Sequence, residues 1–164
     1  MKVFRAPMDR LWGAWTAGAL IGCACLSGCA LNAHREDYSD AQLVYVSELM
    51  AGQPEEFDVE QAAVPAIWAR VHTFLAQHSS MNIRTATDDA IETNSPTGRL
   101  EYGYSVTRTP AGGRVHIVVR CLGNDRCLWG AYGGDGPSRR VLNAKMLAAY
   151  MTTGSLPHPE LVSR

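Results

Sequence analysis

Leu100-Glu101-Tyr102-Gly103-Tyr104-Ser105-Val106, then Pro110-Ala111-Gly112-Gly113, then Arg114-Val115-His116-Ile117-Val118-Val119-Arg120-Cys121-Leu122: the reading of this stretch sets the fold. Leu100, Tyr102, Tyr104 and Val106 recur at every second position, as do Val115, Ile117, Val119 and Cys121. Period two is the mark of a strand with one face buried. The proline and glycines between the runs turn the chain back on itself. Upstream, Met81, Ile83 and Thr85 alternate with Asn82, Arg84 and Ala86. Asp88-Asp89 makes a turn, and Ala90 to Asn94 returns with Ile91 and Thr93 on one face. Four antiparallel strands are therefore expected. Gly123-Asn124-Asp125-Arg126 is a further turn, after which Cys127 to Trp129 reads as the start of a short edge strand.

Helical periodicity flanks these strands. Ser39 or Asp40 is placed to cap a helix over residues 41–50 with Gly52 as its stop, although residues 42–47 also suit a strand. Gln53 to Phe57 reads as a loop, and Asp58 with Gln61 resembles a capping box. Pro65 either bends the following helix or stands in its first turn. Beyond it Ile67, Trp68, Val71, Phe74 and Leu75 share a face, opposite Arg70, Thr73 and Gln77, with an end near His78. Ser138 caps a last helix whose face carries Val141, Leu142, Lys145, Met146, Ala149 and Tyr150, and Gly154 ends it. The expected class is α+β: a small antiparallel sheet of about four strands with N- and C-terminal helices packed on one face. In element order this resembles the helix-grip arrangements of some envelope lipoproteins.

The N-terminus carries a different signal. Lys2, Arg5 and Arg10 precede an uncharged run from Leu11 to Leu26. That layout is a secretory leader, and the run is short against the roughly 20 apolar residues of a membrane span. Leu26-Ser27-Gly28-Cys29 closes it. These residues resemble the lipobox of bacterial lipoproteins. The resemblance implies cleavage before Cys29, a diacylglycerol on its sulfur and acylation, with palmitate, of the new amino terminus. Leu20-Ile21-Gly22-Cys23 fits the same pattern. Cleavage there would leave Cys25 and Cys29 as thiols, so Cys29 is preferred. Ala30 stands where an Asp would imply inner-membrane retention, so the resemblance points to the outer membrane, facing the periplasm. The expected divisions are a signal peptide (1–28), an acylated anchor and linker (29–40), one α+β domain (41–154) and an irregular tail (155–164).

The 164-residue chain has a formal charge of −1. The leader carries three bases and one acid, which leaves −3 on the remainder. A mildly acidic domain argues against nucleic acid as a partner. Cys121 and Cys127 remain after the leader and the anchor are set aside, and an oxidising compartment favours a disulfide between them. Their spacing is neither Cys-x-x-Cys nor Cys-x-x-Cys-His, so redox-site and haem readings are disfavoured, and only His116 lies near enough in sequence for a zinc site.

No catalytic grouping stands out. His34, His72, His78, His116 and His158 are scattered, and His72 and His78 are too far apart to share a helix face as metal ligands. Residues 130–136 are glycine-rich before the helix at Ser138, without a P-loop pattern, and read as a loop. No serine has a nucleophile-elbow setting, and Asp88-Asp89 suits a solvated turn. Neither cofactor nor metal is expected. Tyr102, Tyr104, Trp129 and Tyr132 are the candidate interaction surface: an aromatic patch if the tyrosines' face is open, core if the helices cover it. Leu100 and Val106 in the same row favour core. The expected function is a lipid-anchored, non-catalytic module that binds an envelope protein, the alternatives being a cell-envelope enzyme or a carrier of small apolar ligands.

Overall fold

The structure, a computed structural model, describes residues 38–98, 101–123 and 138–162. All of them fall in one compact unit, His34–Arg164. Helix α1 (Asp40–Gly52) leads to strand β1 (Glu56–Glu60), a 3-10 turn and helix α2 (Val64–His78). Strands β2 (Ile83–Ala86), β3 (Ala90–Thr93), β4 (Tyr102–Ala111) and β5 (Arg114–Gly123) follow, then helix α3 (Arg139–Thr153). The sheet is antiparallel throughout, in the order β1-β5-β4-β3-β2. The α+β class holds, with five strands.

The β4–β5 hairpin is the centre of the sheet. Its two-residue loop, Gly112-Gly113, has φ of 58° and 91°. Two successive positive φ values match the twist of the flanking strands and suit glycine. The loop sets a register in which Tyr104 faces Cys121, Val106 faces Val119 and Pro110 faces Val115. Tyr102, Tyr104, Val106, Val115, Ile117, Val119 and Cys121 are all buried on one side, joined by Ile91 and Thr93 of β3.

The helices supply the other half of this core. Val46 and Leu49 come from α1, and Val64, Ile67, Val71, Phe74 and Leu75 from α2. α3 lies against β5 and is packed in turn by α1 and α2. That position explains why Leu142, Ala144, Met146, Leu147, Ala148 and Met151 are all buried, more than one amphipathic stripe would hide.

The helix ends are closed by side chains, local at the start of α1 and remote at the C-terminal ends of α1 and α3. Ser39 caps α1 in a capping box: Gln42 N donates to Ser39 Oγ at 3.3 Å, and Ser39 N donates to Gln42 Oε1 at 2.8 Å. Lys145 Nζ donates to the carbonyls of Met50 and Gln53 at the other end of α1. Arg70 donates to Met151 O at 2.7 Å and Thr152 O at 3.1 Å, closing the C-terminal end of α3. A cation at a helix C-terminus meets both the orphan carbonyls and the negative dipole end. Pro65 lies in the first turn of α2, which begins at Val64, so the proline starts the helix and does not interrupt it.

Two sequence expectations are corrected. Residues 53–57 are not a loop throughout, and Asp58 does not cap a helix. Glu56–Glu60 is strand β1, and pairing with Arg114 to Val118 outweighs the local capping signal. The tail also adheres. Leu161 and Val162 are buried, Arg139 Nη1 donates to Leu161 O at 3.0 Å, and Gln42 Nε2 donates to Glu160 Oε1 at 2.9 Å. The proposed edge strand at Cys127 to Trp129 lies outside the described residues.

Candidate functional site

The three helices contribute to the core on one side of the sheet, and the other side carries a polar surface. Alternation along each strand builds it in columns. β1 contributes Glu56, Asp58 and Glu60. β5 contributes Arg114, His116, Val118, Arg120 and Leu122, and β4 contributes Ser105, Thr107 and Thr109. Glu92 of β3 follows, facing Ser105.

Acidic side chains of β1 meet basic ones of β5. Arg114 Nε lies 3.3 Å from Glu60 Oε1, His116 Nδ1 lies 2.7 Å from Asp58 Oδ1, and Arg120 Nη2 lies 3.3 Å from Glu56 Oε1. On the far side Ser105 Oγ donates to Glu92 Oε1 at 3.2 Å, and Arg84 Nη2 holds Glu92 Oε2 at 2.9 Å. The three β1 carboxylates are 46–73% exposed. Pairs this wet contribute about 0–1 kcal/mol each, so the ladder orders the surface more than it stabilises the fold.

Asp58, His116 and Thr109 occupy one rung on three adjacent strands. Carboxylate, imidazole and hydroxyl are the inventory of nucleophilic catalysis. That chemistry needs the imidazole hydrogen-bonded to the hydroxyl, and no hydrogen bond joins His116 to Thr109. The rung is an exposed imidazole–carboxylate hydrogen bond beside a threonine. A cavity of about 210 Å³ lies between the end of β5 and α3, with Arg120, Arg140 and Glu55 around it and Leu122, Val141 and Ala144 as apolar wall. It falls below the roughly 300–1,000 Å³ of most small-molecule sites. Among the described residues no three His, Cys, Asp or Glu side chains are grouped to hold a metal.

Of the aromatic surface expected from the sequence, Tyr102 and Tyr104 are corrected: they are 1% and 0% exposed. Their face is the covered one. Phe74 packs edge-on to Tyr104 at 5.5 Å between ring centroids, and burial, with Cys121 beside it, pushes the Tyr104 phenol well above its ordinary pKa. Trp129 and Tyr132 lie outside the described residues, as do Cys29, Cys127 and the glycine-rich run 130–136. Cys121 is buried at 8% exposure on the core side of β5. Of the open face only the β1 residues were hidden in the sequence, Glu56 by the loop reading of residues 53–57 and Asp58 by the capping reading. The alternation Glu56-Phe57-Asp58-Val59-Glu60 is the signal that exposes them.

Comparison with protein-family models finds no match, and comparison with curated proteins finds no match.

Proposed function

We propose that this chain is a lipid-anchored protein of the bacterial envelope, held through Cys29 at the outer membrane facing the periplasm, which binds an envelope protein through the open face of its sheet. The observation that carries this reading is the face itself. An ordered array of charges and hydroxyls covers β1, β5 and β4, with the helices committed to the opposite side. A broad polar surface with fixed charges suits selective protein docking, because complementary charge steers partners and mismatched charge rejects them. The lipobox Leu26-Ser27-Gly28-Cys29 supports the anchor, and a Cys121–Cys127 disulfide is part of the same proposal, in keeping with an oxidising compartment.

A photo-crosslinking residue at Thr107 or Thr109, activated in living cells, tests the docking face. One discrete adduct is expected, absent when the same residue replaces Val44 on the outer side of α1. No adduct at either threonine, or the same adducts at all three sites, would remove the support for the face. Mass spectrometry of the membrane-extracted protein tests the anchor. The expected mass is that of a chain starting at an acylated Cys29, and an unmodified terminus or a retained leader overturns it.

A further inference from the structure

The sheet has two edges, and β1 is one of them. Its inner edge is committed to β5: Val119 N donates to Glu55 O at 2.8 Å, and Phe57 and Val59 continue that pairing. Because peptide groups alternate in direction along a strand, Glu56, Asp58 and Glu60 turn their N–H and C=O groups away from the sheet. Among the described residues no strand pairs with that outer edge. Among the described residues the side chain that reaches it is Arg114, whose Nη2 donates to Asp58 O at 3.1 Å and which is half-exposed.

The two faces of β1 differ in what they would accept. Phe57 and Val59 pack against the core but stay only partly buried, leaving an apolar shelf at the rim. On the other face stand the three carboxylates, each met on its β5 side by Arg120, His116 or Arg114 and still 46–73% exposed. A second copy of this chain is a poor occupant. An antiparallel β1–β1 pair would set Glu56 against Glu60 and Asp58 against Asp58, and like charges directly opposite destabilise a ladder. We propose that this edge takes an extended segment of a partner protein, about five residues long, in which Lys or Arg alternates with an aliphatic residue. The partner's main chain pairs with Glu56, Asp58 and Glu60, its basic side chains lie beside the three carboxylates, and its aliphatic side chains complete the cover over Phe57 and Val59. Strand addition of this kind draws affinity from main-chain hydrogen bonds and selectivity from alternate side chains. The proposal rests on the reading of this protein as a docking module and names the partner's chemistry.

The test uses the full domain and a fluorescent peptide of about seven residues in which Lys and Val alternate, its length matched to an ordinary strand. Saturable binding is expected, with slowed amide exchange at Glu56, Asp58 and Glu60. A peptide with Glu in place of Lys should bind at least about tenfold more weakly, and so should one N-methylated at the pairing amides. The E56Q/D58N/E60Q variant keeps the strand's shape and should lose about tenfold in affinity along with most of the salt dependence. Undiminished binding of the N-methylated peptide, protection elsewhere in the protein, or no binding of the Lys–Val peptide overturns the proposal. Failure here with a discrete adduct at Thr107 or Thr109 leaves the docking reading standing without strand addition. Edge binding without any cellular adduct supports the edge and removes the docking face.

Discussion

Asn143 is fully buried on α3, and neither Oδ1 nor Nδ2 has a hydrogen-bond partner among the described residues. A buried polar group left unpaired costs about 1–3 kcal/mol, whereas an apolar replacement of the same shape escapes that cost. Asn143→Leu is therefore expected to stabilise the domain by about 1 kcal/mol, read as a higher denaturation midpoint with an unchanged m-value. Glu101 shows the opposite situation at a surface turn. Its Oε2 accepts from Gly98 N at 2.6 Å and Thr97 N at 2.9 Å, and these bonds hold its carboxyl below the ordinary value. A carboxyl lowered on folding adds stability above its unfolded pKa and loses it as pH falls through the folded one. Glu101→Gln should accordingly flatten the acid limb of a stability–pH profile, and an unchanged limb would show that other carboxylates carry it.

At the scale of elements, closure of helix ends by remote side chains adds directed hydrogen bonds between helices that already pack together. Arg70 on α2 holds the last carbonyls of α3, and Lys145 on α3 holds those that end α1. Arg70→Ala is expected to cost about 1–2 kcal/mol and to speed amide exchange in the last turn of α3 selectively. A uniform increase across the domain would mean that the arginine acts on global stability and not on that helix end. The face of α2 was legible from the spacing of Ile67, Val71, Phe74 and Leu75, which needs no knowledge of partners. Arg70 reads from the same spacing as an outward-facing residue, because the carbonyls it serves lie more than 80 positions away. The same limit applies to β1. Five residues of perfect alternation compete with a capping pattern at Asp58 and Gln61, and the decision falls to β5, which is absent from any local window.

Across the whole molecule, the tail after Gly154 acts as a strap. The left-handed φ of 79° at Gly154 ends α3 and redirects the chain. His158 packs at a tilt against Tyr45, 5.2 Å between ring centroids, Glu160 binds Gln42, and Leu161 and Val162 enter the core. The strap so joins α1, where the tether would enter, to α3 at the centre of the domain. Deleting residues 156–164 removes two buried aliphatic side chains, Leu161 and Val162, and should lower stability by about 3 kcal/mol or more in chemical denaturation. A truncated domain of unchanged stability would show that the strap is only laid over the surface. Period-two and helical spacing marked the strands of the hairpin, its turn, and helices α2 and α3, since those patterns are written in neighbouring residues and their backbone preferences; residues 42–47 stayed open between helix and strand. The same patterns showed that β4 and β5 have two unlike faces. The row of Leu100 and Val106 only favoured a core place for Tyr102 and Tyr104; packing decided it, and packing alone placed three carboxylates along a sheet edge, because burial and strand pairing depend on residues far apart in the chain, brought together by the arrangement that hides the apolar surface of sheet and helices at once.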